Sequence, residues 1–114
     1  MGIPNPTHQA ASNAIAALGA YISLHTSTGG GTTGANEASG GGYGRQLTTW
    51  TAGSTGVNNG SGVTVPCAAA TYTEGGIWSA STSGTFVGSN PFTGGNVIVS
   101  GAGASIVVTP SNTA

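Results

Sequence analysis

Tyr21-Ile22-Ser23-Leu24-His25 marks the point where the hydrophobic period of this 114-residue chain turns from helical to two. Alternating apolar and polar residues over five positions describe a half-buried strand, with Ile22 and Leu24 turned inward. Upstream the pattern is different. Asn5 suits an N-cap, and Pro6 suits the first helical position, where its missing N–H costs no hydrogen bond. Ala10, Ala11, Ala14, Ile15 and Leu18 then recur at helical spacing as one narrow apolar stripe. Gly19 is expected to close the helix as a left-handed C-cap. The spacing predicts a single short helix over residues 5–18. Such a helix is marginal alone, so it must dock on its own sheet or on a neighbouring subunit.

Downstream, Thr26 to Gly44 is a Gly/Thr/Ser/Asn stretch without hydrophobic period, and loops of that length in compact domains are functional or flexible. Arg45 to Ala52 reads as a strand carrying Leu47 and Trp50. Asn58-Asn59-Gly60 reads as a hairpin turn, since Asn and Gly tolerate the positive φ of a type I′ turn. Gly62 to Ala68 places Val63, Val65 and Cys67 on one face, with Pro66 marking an edge or bulge. Strands follow at Thr71 to Ser79, Thr85 to Val87, Asn96 to Ser100 and Ser105 to Thr109, and Pro110 is expected to end the ordered pattern. Short strands at regular spacing with glycine turns predict a mainly β fold. The expected architecture is an antiparallel β-sandwich or jelly-roll-like domain over residues 20–110, behind the helix, within one domain of residues 1–114. Ile22, Leu24, Trp50, Ile77, Trp78 and Phe86 are its expected core.

The inventory of reactive groups is short. The charged side chains are Glu37, Glu74 and Arg45, with no Lys and no Asp, and the net charge is -1. His8, His25 and Cys67 complete the set. General acid–base catalysis needs two titratable groups with separated pKa values, or a base beside a nucleophile, and this composition argues against an enzyme. A single Arg cannot neutralise a phosphate backbone, which argues against nucleic-acid binding. No apolar run approaches the ~18 residues of a spanning helix, and the N-terminus lacks the basic region of a signal peptide. Manufacture in a cytoplasm, ahead of assembly, is the expectation. A chain this close to neutrality offers little repulsion between copies, so a homo-oligomer is expected.

Individual motifs add little chemistry. Gly29-Gly30-Gly31-Thr32-Thr33-Gly34 satisfies G-x-G-x-x-G, but the pattern binds pyrophosphate only where a helix follows, and Ala35 to Ser39 is not helical in pattern. No nucleophile elbow is present, and His, Glu and Cys show no ligand spacing, so no catalytic, cofactor or metal residue is assigned. Trp50, Trp78, Tyr43 and Tyr72 could stack on sugar rings, although the tryptophans are better read as core. Glu37 and Arg45 flank the Gly-rich run and could pair to pin that loop back. Thr32, Asn36, Glu37, Tyr43 and Arg45 form the candidate contact loop.

Leu24-His25-Thr26, Gly31 to Gly41 and Tyr43-Gly44-Arg45-Gln46 together resemble small phage and prophage proteins labelled tail fibre or minor tail proteins, many from phages of actinobacteria. Thr73-Glu74-Gly75-Gly76-Ile77-Trp78-Ser79-Ala80 and Gly84-Thr85-Phe86-Val87-Gly88 continue the resemblance, which spans Tyr21 to the C-terminus. Gly44 departs from the Ala common in that group. The resemblance implies a virion structural component whose partners are copies of itself and other virion proteins, with a host-surface glycan as a further candidate. It carries over no catalytic residue and no cofactor. A capsid decoration protein is the nearest alternative on the same physics, and a carbohydrate-binding module the next.

Overall fold

The computed structural model describes residues 2–114; Met1 lies outside the described residues. Helix α1 (Asn5–Leu18) precedes strands β1 (Tyr21–Thr26), β2 (Gln46–Leu47), β3 (Trp50–Ala52), β4 (Val57–Gly60) and β5 (Val63–Cys67). These are followed by β6 (Ala70–Trp78), β7 (Phe86–Pro91), β8 (Val97–Val99), β9 (Ala104–Val108) and β10 (Ser111–Thr113). The main sheet runs β2-β1-β6-β7, with β8 also on β6; β10-β4-β3 form a second sheet and β5-β9 a two-stranded third. All the pairings are antiparallel. The mainly β fold with one N-terminal helix agrees with the sequence.

The core lies between one face of the main sheet and the β5–β9 pair. Ile22, Leu24 and Tyr72 meet Val63, Val65, Cys67 and Ile106 there, all buried. Period-two burial of Val63, Val65 and Cys67 follows the expected alternation. Pro66 sits on a strand with a single ladder partner, where its missing N–H breaks no second ladder. The aromatic residues are a correction. Ile77 packs against the core, but Trp50, Trp78 and Phe86 stand half-buried outside it. In β6 and β7, Trp78 and Phe86 are cross-strand partners, and they turn to the opposite face of the sheet, beside Ser23 and His25.

The helix docks on the second sheet through the side opposite its apolar stripe. Its buried residues are Gln9 and Ser12, whereas Ala10, Ala11, Ala14 and Leu18 face solvent. Amides from the second sheet explain this. The Gln9 amide donates to Asn58 Oδ1 at 2.6 Å and its Oε1 accepts the Gly56 N–H at 3.0 Å. Asn58 and Asn112 both donate to the Ser12 carbonyl, at 3.3 and 3.0 Å. Helix end geometry also differs from expectation. The N-cap is Pro4 without a side-chain bond, Asn5 is already helical, and Gly19 is extended at φ -179. Gly19 has no side chain for a different reason: its backbone passes directly against the Trp78 carbonyl.

Two further expectations are corrected by the same amide network. Asn58-Asn59-Gly60 is not a turn but strand β4, central between β3 and β10. The turn lies one step earlier, closed by Gly53 N–H donating to Val57 O at 3.0 Å. Buried Asn58 is held in the strand by its helix partners, which outweigh a local preference for positive φ. Pro110 does not end the order, because Ser111–Thr113 pair with Val57–Asn59. The segment Arg45 to Ala52 splits into β2 and β3, which belong to different sheets.

Candidate functional site: a clamped glycine-rich loop

Residues 27–45 form no regular element apart from one bridge, His25 with Glu37, yet they are closely fitted to the protein. Strand β1 pairs with β2 only at Tyr21 and Ile22. Beyond that point the loop serves as its neighbour. Thr26 N–H donates to Asn36 O and Ala38 N–H to Leu24 O, each at 2.9 Å. Leu24 N–H donates to the Tyr43 hydroxyl at 3.2 Å, filling the gap between these bonds. An unpaired edge strand is a liability that this arrangement removes.

The first half of the loop lies over the second face of the main sheet. Gly30 N–H and Ser89 Oγ both donate to Glu74 Oε1, at 2.9 and 2.7 Å. Gly34 has φ +78, and a Cβ there would come within 2.5 Å of Trp78 Cζ2. Only glycine lets the backbone lie flat on that ring. Trp78 and Phe86 pack edge-on with centroids 5.1 Å apart, and His25 meets Phe86 at 5.9 Å. The loop therefore supplies, over this face, the layer that β5–β9 supplies over the other.

Under the loop, Ser23 and His25 make a hydroxyl–imidazole pair at 2.8 Å, both fully buried. His25 Nδ1 lies 2.8 Å from the Ala35 carbonyl, which can only accept. In the neutral ring Nε2 is then the acceptor, and Ser23 donates to it. Trp78 Nε1–H donates to Ser23 Oγ at 3.2 Å, completing a chain of satisfied groups. Gly76 packs directly against both Ser23 and His25, leaving no space for a substrate at the hydroxyl. This pair has the atoms of a nucleophile and base but is sealed.

The second half of the loop is held by the chain's one cation. Arg45 grips Glu37 with two bonds, Nε to Oε2 at 2.7 Å and NH2 to Oε1 at 2.8 Å. The Arg45 and Glu37 side chains are 8% and 22% exposed. Arg45 NH1 reaches the carbonyls of Ala80 and Ser83, and its guanidinium lies 3.7 Å from the Trp78 ring centroid. Tyr43 donates to Glu37 Oε2 at 2.6 Å. Burial works to raise the Glu37 pKa, but the bonds from Arg45 and Tyr43 and the Arg45 charge outweigh it, and the carboxyl is held below its ordinary value. Burial, and then the bond to Glu37, pushes the Tyr43 phenol above its ordinary value.

Of the candidate contact residues, Thr32 and Asn36 are exposed on the loop, while Glu37, Tyr43 and Arg45 turn inward to the clamp. Sequence alone placed Glu37 and Arg45 on either side of the glycine run and suggested that they pair. It gave no sign that Ala80, Ser83 and Trp78 complete the arginine's shell, since nothing local links positions so far apart. The G-x-G-x-x-G run leads into the bridge with β1 instead of a helix, so it presents no helix N-terminus to a phosphate. Among the described residues there is no cluster of His, Cys, Asp or Glu able to hold a metal ion. An open groove of about 620 Å³ runs between β6–β7 and the segment around Pro110, lined by Ile15, Ile77, Val87 and Phe92 without any charged side chain.

No curated protein and no solved structure matches the chain. Residues 7–110 match the family model described as podophage GP4 fiber I protein gp80. The match takes in most of α1, the loop and almost the whole β fold, and it supports a phage tail fibre protein without extending to the actinobacterial type that the sequence resemblance suggested. The chain belongs to the podophage GP4 fiber I protein gp80 family.

Proposed function

We propose that the protein is a non-enzymatic building block of a phage tail fibre, a minor component of the virion tail that works by docking to copies of itself and to other virion proteins. The observation that carries this is the disposal of its polar groups. The single cation is consumed by an internal pair, and among the described residues no buried polar side-chain atom lacks a partner. What remains for recognition is a neutral surface with isolated large apolar side chains, including Ile98 (77% exposed) and Val107 (68% exposed). Single exposed apolar residues are ordinary on a protein surface, so it is the neutrality of the surface as a whole that supports docking to other neutral surfaces. Synthesis in the host cytoplasm and assembly there into the particle complete the proposal. Thr32 and Asn36, on the outer side of the clamped loop, are the proposed loop contacts, with the inward residues Glu37, Tyr43 and Arg45 fixing its shape.

Labelling the protein in intact virions and imaging them by electron microscopy tests the proposal. Density along tail-attached fibres is the expected result. Density on the head shell would make it a decoration protein instead, and absence from the particle would overturn both assignments.

A further inference from the structure

We infer that the groove between β7 and β10 is a slot for one extended, uncharged segment of another virion chain, which enters as an added strand and joins the main sheet to the second. The inference rests on the proposed docking to virion proteins and gives that docking a surface and a form. β7 ends the main sheet and β10 ends the second sheet, so each has one ladder partner and one open edge. Residues 87–91 and 108–113 all line the groove, without the gaps that alternating side chains would leave along the face of a strand. Both strands therefore turn their edges to it.

The direction of each backbone group follows from the antiparallel ladder, in which bonded and non-bonded positions alternate. Phe92 N–H donates to Thr73 O, so Ser89 and Pro91 turn their backbone groups away from β6. Pro91 has no N–H to leave unpaired there, as suits an edge. Pro110 O accepts from Gly60 N–H and Ala114 N–H donates to Gly56 O, so Ser111 and Thr113 turn theirs away from β4. Among the described residues no turn or loop backbone group bonds to these four. The groove thus offers N–H groups at Ser89, Ser111 and Thr113, and carbonyls at all four, from two walls.

Only a segment with both of its own edges free can satisfy two walls. A folded second copy does not supply one, because every described strand already commits an edge to a partner. The occupant is therefore an arm that is extended and unpaired before it docks, as in strand addition. Its chemistry follows from the lining. Ile15, Ile22, Ile77 and Phe92 make the apolar part, and no charged side chain is present, so a charge on the seated segment would be buried unpaired. Gly88 leaves room for a larger apolar side chain, since a Cβ there would meet nothing within 4 Å. Residues 87–91 run along about 17 Å, the length of a strand of about five residues.

Hydrogen exchange read by mass spectrometry tests this on intact virions and on the free full-length chain. In virions, exchange in the segments holding residues 87–91 and 109–113 should be slower than in the free chain by about tenfold or more, in both together. Equal rates in virions and free chain would overturn the inference, and so would slowing in one segment alone. Slowing in the free chain on concentration alone would mean that a second copy fills the groove, which also overturns it. The two walls are tested with a short capped peptide of alternating threonine and valine. At millimolar concentration it should protect both segments of the free chain, and Gly88→Leu, which fills the open space, should abolish this with an unchanged circular dichroism spectrum. N-methylation of its threonines blocks one edge and N-methylation of its valines the other, so either should abolish protection. Protection retained by one methylated form would show that a single edge suffices and overturn the slot, and no protection by the parent peptide would overturn the assigned chemistry. The proposed function fails separately, by absence of the protein from the tail fibres.

Discussion

Arg45 shows how much one side chain can organise in a chain that has no other cation. It joins the Gly-rich loop through Glu37, the turn before β7 through two carbonyls, and the main sheet through Trp78. Exposed pairs contribute about 0–1 kcal/mol, and removing one partner of a fully buried pair costs about 3–5 kcal/mol. Glu37 keeps some access to water, so Arg45→Met is expected to cost about 2 kcal/mol in urea denaturation. A loss below about 0.5 kcal/mol would show that the clamp is incidental. The pH dependence has a definite sign. The folded Glu37 pKa lies below its ordinary value of 4.5, so its contribution is complete above that value and is lost as pH falls through the lower folded one. Tyr43 bounds the other side. Its folded pKa is raised above 10.0, so its contribution is complete below that value and is lost as pH rises through the folded one. Stability measured against pH should therefore fall at both extremes, and Glu37→Gln should flatten the acid limb. An acid limb unchanged in that variant would assign it to another group.

At the scale of the elements, two segments are held by what they touch and not by what they prefer. The loop has no period of its own and is shaped by β1, Trp78 and Arg45. Gly34→Ala is expected to cost about 2 kcal/mol or more, from a strained positive φ and a forced approach to Trp78. Amide hydrogen exchange should then quicken at Thr26 and Ala38, whose N–H groups bond across to the loop and to β1; unchanged protection there would show that the loop does not need to lie flat. The helix is the second case. Asn58→Ala removes the buried partner of Gln9 and Ser12 and is expected to cost about 2–3 kcal/mol, against less than about 0.5 for its exposed neighbour in Asn59→Ala. Equal losses in denaturation would refute the amide docking. These contrasts also explain which parts of the fold were legible beforehand. Val63, Val65 and Cys67 bury one face of a strand wherever that strand pairs, so period two sufficed. Asn58-Asn59-Gly60 has the local chemistry of a turn, and only contact with a helix 45 or more residues away makes it a strand. The alanine stripe was legible as a stripe, but which side of the helix docks within the chain was not, because the residues opposite it find amide partners that are distant in sequence. Likewise, the Glu37–Arg45 pair was legible as two opposite charges bracketing a loop, while the rest of the clamp comes from the turn at Ala80 to Ser83.

For the whole molecule, neutrality decides how it can associate. With Glu37 and Arg45 paired internally, Glu74 carries the remaining net charge of -1. Its Oε1 is already taken by Gly30 and Ser89. Long-range steering between copies is therefore weak, and so is repulsion. The molecule is also drawn out, with extents of 47 × 26 × 24 Å. An elongated unit with a single net charge can be repeated with little accumulation of field, which suits a fibre assembled from many contacts. Association held by apolar surface responds to salt differently from association held by charge. Between 50 and 500 mM NaCl, screening weakens a charge-driven complex many-fold, whereas burial of neutral surface is nearly indifferent. Sulfate goes further and strengthens burial, because it is excluded from protein surface. Sedimentation equilibrium of the purified chain should give a self-association constant that changes by less than about threefold across that NaCl range and tightens in sodium sulfate. A steep loss of association with NaCl would point instead to a contact made through Glu74 or through an opened Glu37–Arg45 clamp, and substitution of each carboxylate by glutamine would tell the two apart.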